Sequence, residues 1–123
     1  MHAISIKNLH KSYDNGVHAL RGINLDIKEG NFFGLLGSNG AGKTTLISVL
    51  TTLAMKTEGT VSIFGYDLDS QPKQAKQLMG IVPQHINLHA NDAVLLAASM
   101  QAGYYGIPKN IARERAEHLL NVL

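Results

Sequence analysis

Lys43 and Thr44, set behind three glycines in the stretch GSNGAGKTT (Gly37 to Thr45), are the residues of this chain whose types and spacing suit them best to chemistry. The spacing G-x-x-x-x-G-K-[ST] falls on Gly37, Gly42, Lys43 and Thr44. A loop of this kind holds phosphate. Its glycines permit backbone conformations and close approach that side chains forbid, so successive N–H groups from about Asn39 to Thr45 can turn inward around phosphate oxygens. The orphan N–H groups and the positive end of a following helix add to the attraction. Lys43 then sets an ammonium against the β- and γ-phosphates, the Thr44 hydroxyl ligates Mg²⁺, and Thr45 donates to the α-phosphate. The expected cradle is therefore Gly37, Ser38, Asn39, Gly40, Ala41, Gly42, Lys43, Thr44 and Thr45.

The other polar residues give weaker patterns. Six histidines occur, but none stands at metal-ligand spacing from another, and the absence of cysteine excludes a thiolate site, a disulfide framework and a cysteine nucleophile together. Asp67 and Asp69 in GYDLDS fit a surface turn rather than a carboxylate pair, and Glu58 and His85 fit loops.

A phosphate loop works only if a strand enters it and a helix leaves it. Phe32 to Leu36 is apolar without alternation, the pattern of a strand buried on both faces of a parallel sheet, and Lys43 to Leu53 has helical character with Leu46, Ile47 and Leu50 on one face. Ahead of the loop, Ile4 to Leu9, Val17 to Leu20 and Ile23 to Ile27 alternate as short half-buried strands around DNG and KEG turns, which predicts an antiparallel region. TEGTVSIFG predicts another strand, Pro72 to Leu78 a short helix, and Gly80 to Pro83 a short buried strand. Asp92 to Tyr105 and Lys109 to Leu123 have helical spacing on either side of a YYGIP break, with Arg113/Glu117 and Glu114/His118 at i,i+4.

Composition bounds the function classes. At 123 residues, 45% hydrophobic and 16% charged, the chain fits one globular domain, and a net charge of +2 offers no concentrated cationic patch for nucleic acid. No apolar run approaches the roughly 18 residues of a membrane span, the longest later one being Ala93 to Ala98.

Several stretches together, GSNGAGKTTL, the upstream LHKSYDNGVHALRGINLDIKEG and the downstream GTVSIFGYDL and GIVPQ, resemble the nucleotide-binding domain of ATP-binding cassette (ABC) proteins from about residue 3 to the end. The resemblance implies an α/β fold: a P-loop NTPase (RecA-like) core with an amino-terminal antiparallel β subdomain over about residues 1–87, then the start of a helical subdomain over about 88–123. It implies ATP and Mg²⁺ as ligands, and it places Tyr13 where an aromatic stacks on adenine, with Val17 against the same ring. Gln84 falls at the family's Q-loop glutamine, which reaches Mg²⁺ and the attacking water. Lys43 and Gln84 are thus its catalytic candidates, and Thr44 and Gln84 its metal ligands. QAGYYGIPKNIARERAEHLLNVL is similar to the helical subdomain of the exporter branch, which moves drugs, polysaccharides or lipids. There the segment after Gln84 faces a transmembrane permease subunit; Tyr104 and Tyr105 are candidates for that groove, while Met100, Leu119, Leu120 and Leu123 suit a helix–helix seam.

Partners implied by the resemblance are that permease and a second ATPase subunit in a head-to-tail dimer, with the protein peripheral at the cytoplasmic face of the membrane. The family's signature loop, second acidic motif, catalytic glutamate and switch histidine are not found here: after Gln84 the only glycines are Gly103 and Gly106, and the only acids are Asp92, Glu114 and Glu117. The chain therefore resembles the amino-terminal half of such a domain, and residues 1–123 alone are expected to be a poorly stable, inactive ATPase. The other readings are a soluble ABC ATPase of translation or DNA repair, or a nucleotide-binding fragment without turnover.

Overall fold

The computed structural model of the chain describes residues 1–82 and 93–122, in two compact units, Met1–Met79 and Gly80–Leu123. Gln84, His85 and Leu123, singled out in the sequence, lie outside the described residues.

The first unit is a four-stranded antiparallel sheet of order β2-β1-β3-β4, with β1 at His2–Ser12, β2 at His18–Lys28, β3 at Glu58–Ile63 and β4 at Tyr66–Asp67. The antiparallel start expected from alternation is present, but the segments expected as two strands, Val17 to Leu20 and Ile23 to Ile27, form the single strand β2. β1 is long enough to pair with both ends of it, from His2↔Lys28 to Ser12↔His18, through register shifts around Ile6 to Leu9 and at Lys11/Ser12. On its other edge β1 pairs with β3 as Ile4↔Ile63 and Ile6↔Val61.

Helix α1, Lys43–Leu50, closes the core of this unit. Its Leu46 and Val49 are buried with Ile6, Leu9, Leu20, Val61 and Ile63. Each such side chain contributes roughly 1.5 to 3 kcal/mol by leaving water. The buried face is Leu46, Val49 and Leu50, so the expected face is corrected at Ile47, which is exposed. The helix also stops short of Leu53. The Thr51 hydroxyl donates back to the Ile47 carbonyl at 2.8 Å, Thr52 has φ 60, and the Leu53 and Ala54 amides both reach the Ser48 carbonyl. Adjacent β-branched threonines and one left-handed residue end the helix.

Asp67 and Asp69 do lie in a turn. Asp67 Oδ1 accepts from the Asp69 amide, the Ser70 amide and the Ser70 hydroxyl, each at 3.0 Å, and the Ser70 backbone bond foremost pulls its pKa below the ordinary carboxylate value. Lys56 is the ion-pair partner of Asp69 at 2.7 Å. Helix α2, Pro72–Gln77, begins on its proline as expected.

Two expected strands are corrected. Phe32 to Leu36 is extended chain outside any strand, with Phe32 105% and Leu36 92% exposed, and Gly80 to Val82 is likewise irregular, with Val82 97% exposed. An apolar run becomes a parallel strand only when neighbours accept its amides and cover both its faces. Among the described residues no strand pairs with either segment.

The second unit contains α3 (Val94–Tyr104) and α4 (Lys109–Val122), packed on each other. The YYGIP break is a helix stop of defined geometry: the Ile107 amide bonds the Ala102 carbonyl, the Gly106 amide bonds the Gly103 carbonyl, and Gly106 has φ 77. Pro108 then leads into α4, where Arg113 and Glu117 pair at 3.0 Å. Ala112 and Ala116 are the buried residues of α4 and Leu120 is half-buried, while Met100 and Leu119 are exposed, so the expected seam is corrected at those two residues. Among the described residues no helix is long and apolar enough to cross a membrane.

Candidate functional site

The loop between β2 and α1 acquires its shape from two glycines. Gly40 and Gly42 have φ 83 and 86, the left-handed region that L side chains rarely adopt, and Gly42 is the N-cap of α1. Left-handed residues on either side of Ala41 belong to the backbone pattern from which anion-binding concavities are built. The Ala41 amide donates to the Ser38 carbonyl at 3.2 Å and the Leu46 amide to the Gly42 carbonyl at 2.8 Å, so the curl runs directly into the first helical turn.

Gly42 is also a contact point. A Cβ there would stand 2.6 Å from the Ala19 carbonyl oxygen and 3.0 Å from Leu20 Cδ2. β2 therefore packs against the loop at a distance only glycine allows. Lys43 Nζ donates to the carbonyls of Gly37 and Ser38, the latter at 2.6 Å. Its ammonium thus bridges back across the loop and holds the arc closed.

These elements enclose an open cleft of about 520 Å³ lined by Asn39, Gly40, Gly42, Lys43, Thr44 and Thr45 on one side and by Tyr13, Val17, His18, Ala19 and Arg21 on the other. Tyr13 arrives there through a turn in which its amide donates to the Val17 carbonyl and the Gly16 amide to its own carbonyl, both at 2.9 Å. Its ring is 41% exposed, its hydroxyl lies 3.5 Å from Thr45 Oγ1, and Lys11 Nζ lies 4.7 Å from the ring centroid. Lys11 makes a cation–π contact with the ring, while Tyr13 itself lines the cleft.

Of the sequence-derived candidates, the structure brings Tyr13, Val17, Asn39, Gly40, Gly42, Lys43, Thr44 and Thr45 to this one cleft, with Gly37, Ser38 and Ala41 forming the arc behind it. The sequence reading passed over His18, Ala19 and Arg21. Alternation along β2 held the available signal: Leu20 is buried, so Ala19 and Arg21 share the opposite side. Among the described residues no carboxylate lines the cleft, and the Lys and Arg side chains there are Lys43 and Arg21, which suits this wall to an anion.

A family model described as ABC transporter matches residues 20–123. The chain belongs to the ABC transporter family. Its match begins at Leu20, so Tyr13 lies upstream of it and joins the site through the turn and the cleft. Among curated ABC relatives, the methionine import ATP-binding protein MetN of Helicobacter pylori is 35% identical over 98% of this chain and 38% of that protein. The linearmycin resistance ATP-binding protein LnrL of Bacillus subtilis is 35% identical over 95% of this chain and 37% of that protein. The chain thus spans well under half the length of these relatives. Among solved structures, the ATP-binding cassette MJ0796, in a dimeric post-hydrolysis state bound to ADP and Pi, superposes with a TM-score of 0.75 at 28% identity over 96% of this chain and 56% of that one. CbiO1 from Clostridium perfringens, part of the ABC transporter complex cbiONQ, gives 0.68 at 27% identity over 98% and 49%. The fold is that of ABC ATP-binding subunits, represented over part of its length.

Proposed function

We propose that this segment binds MgATP and that, in the whole protein, hydrolysis of that ATP drives transport through a membrane permease. The observation that carries the reading is the cleft that joins the half-exposed Tyr13 to a left-handed glycine loop, Lys43 and the amino end of α1. The adenine stacks on the cleft side of Tyr13, and the triphosphate lies along residues 37–45. Lys43 transfers one of its contacts from a loop carbonyl to a phosphate oxygen. Thr44 would offer its hydroxyl to Mg²⁺ at the amino end of α1. Bound Mg²⁺ would supply charge neutralisation on the phosphates. Gln84 is the further catalytic and metal-directed candidate. The domain assignment follows the same reading, with a β subdomain and phosphate-loop core over about 1–87 and the start of a helical subdomain over about 88–123. A second copy completes the site head to tail, and a transmembrane permease holds the protein at the cytoplasmic face of the membrane.

For the direction of transport we infer export. Its support is the YYGIPKNIARERA segment and the likeness to a protein named for linearmycin resistance. The import reading is favoured by the methionine import proteins, which match at comparable identity. Inside-out vesicles carrying the complete protein with its permease distinguish the two: ATP-dependent accumulation inside the vesicle is expected, and ATP-dependent loss of preloaded substrate would reverse the direction. If the protein neither fractionates with permease-bearing membranes nor releases phosphate there, the transport reading falls.

Tyr13 gives a separate expectation. Tyr13→Ala should weaken ATP and GTP alike by about 1 to 3 kcal/mol, the range for one base stacked on an aromatic, while Tyr13→Phe stays near the parent. Titration with fluorescent analogues of both nucleotides measures it. A loss confined to ATP would mean that the base is read by hydrogen bonds instead.

A further inference from the structure

We propose that Arg21 is a second cation for the nucleotide's phosphate chain, reaching it from the β2 wall of the cleft opposite Lys43. The inference rests on the nucleotide reading above and adds a residue outside the phosphate loop. Three observations carry it.

The first is position. The Ala19 carbonyl lies where a side chain on Gly42 would have to go, so β2 is pressed against the loop at that point. Leu20 turns into the core, and Arg21 returns to the side that Ala19 occupies, beside the loop; both line the cleft. The second is presentation. Arg21 Nε donates to the His18 carbonyl at 3.3 Å, one turn of the strand's own backbone anchoring the stem of the guanidinium. The terminal nitrogens keep their donors for a planar oxyanion, the geometry in which arginine binds phosphate in a fork. The third is charge. Among the described residues the ion pairs are His2–Asp26, Lys56–Asp69 and Arg113–Glu117, and none involves Arg21. Among the described residues no acid lines the cleft to neutralise it. Its neighbours across β1 and along β2 are His10, its register partner, and His18, whose Nδ1 is 2.7 Å from Ser12 Oγ. A guanidinium left without an anion beside a phosphate cradle is matched by the phosphate itself.

The test uses the complete protein with Arg21→Gln, Arg21→Lys and, as reference, Lys43→Ala, with MgATP and MgADP as probes. Arg21→Gln is expected to weaken both nucleotides about tenfold, with Arg21→Lys recovering only the part of that loss that charge without the planar fork can supply, and the change appearing in KM rather than kcat. Adding salt from 50 to 300 mM should weaken the parent more than Arg21→Gln, because the variant has one charge contact fewer to screen. If Arg21→Gln binds within twofold of the parent while Lys43→Ala loses binding, the inference is overturned and the nucleotide reading stands. Equal weakening in the Gln and Lys variants, with a lowered unfolding temperature in both, would make Arg21 a strand-supporting residue and also overturn it. Unchanged binding in Lys43→Ala would overturn the nucleotide reading and this inference together.

Discussion

Lys43→Ala in the complete protein is expected to weaken binding of a nonhydrolysable ATP analogue by about a hundredfold and to reduce phosphate release to background. Two losses combine. The ammonium that would meet the terminal phosphates disappears, and a hydrogen bond to a charged group is worth about 1.5 to 3 kcal/mol. The same nitrogen also donates to the Gly37 and Ser38 carbonyls, so its removal releases the arc that Gly40 and Gly42 shape. Those carbonyls remain exposed to water, which limits the structural part of the loss. Affinity should therefore fall much more than thermal stability. Calorimetric titration and a phosphate-release assay, beside an unfolding scan, measure the difference. Affinity within twofold of the parent would show that the loop does not hold phosphate, and an unfolding temperature lowered as far as a core deletion would show that Lys43 is chiefly structural.

Gly59→Ala should have the largest effect on stability. Gly59 has φ 91, and a Cβ there would lie 2.3 Å from the Asn8 carbonyl oxygen and 2.7 Å from that of Lys7. Neither atom can retreat easily. Asn8 is itself held at φ 48 at the register shift of β1, with its amide on Asn24 Oδ1 at 2.9 Å, and Leu9 and Val61 on either side are fully buried. The substitution combines a left-handed alanine, at about 1 to 2 kcal/mol, with overpacking between two core strands, at about 1 to 3 kcal/mol. Gly30→Ala is the control, because Gly30 has φ 77 but nothing within 4 Å of the added carbon. The complete protein carrying Gly59→Ala should unfold at a temperature several degrees lower than Gly30→Ala. Equal shifts in the two variants would mean that β1 and β3 accommodate the methyl group and that only backbone conformation matters.

The chemistry of the site was legible in the sequence because it is carried by local backbone. Gly37, Gly42, Lys43 and Thr44 are contiguous enough that their spacing fixes a curl and a helix start, whatever the remainder of the chain does. Alternation similarly set out β1, β3 and the two halves of β2, though not their union in one strand, and the helical spacing after Ala93 set out α3 and α4, because these patterns report which side of an element is buried. Periodicity does not report which apolar residues have partners. Ile47 and Val49 on α1 are equally apolar; only packing against Leu9, Leu20 and Val61 makes the second buried and the first exposed.

The sequence by itself determined that the chain carries a glycine-rich loop of phosphate-loop spacing ahead of a helix, following antiparallel strands, because each of those is written in residues a few positions apart. Tertiary structure alone decided that Tyr13 and Arg21 reach the same cleft as Lys43, since that depends on β2 pressing Ala19 against Gly42. It decided that Gly59 is irreplaceable, through a contact with Asn8 some fifty residues away in the chain. It also decided against a strand at Phe32 to Leu36 in these 123 residues. Hydrophobicity gives that segment a reason to be buried, but a strand's hydrogen bonds are made with other strands, and sequence pattern alone cannot supply the neighbours that accept them.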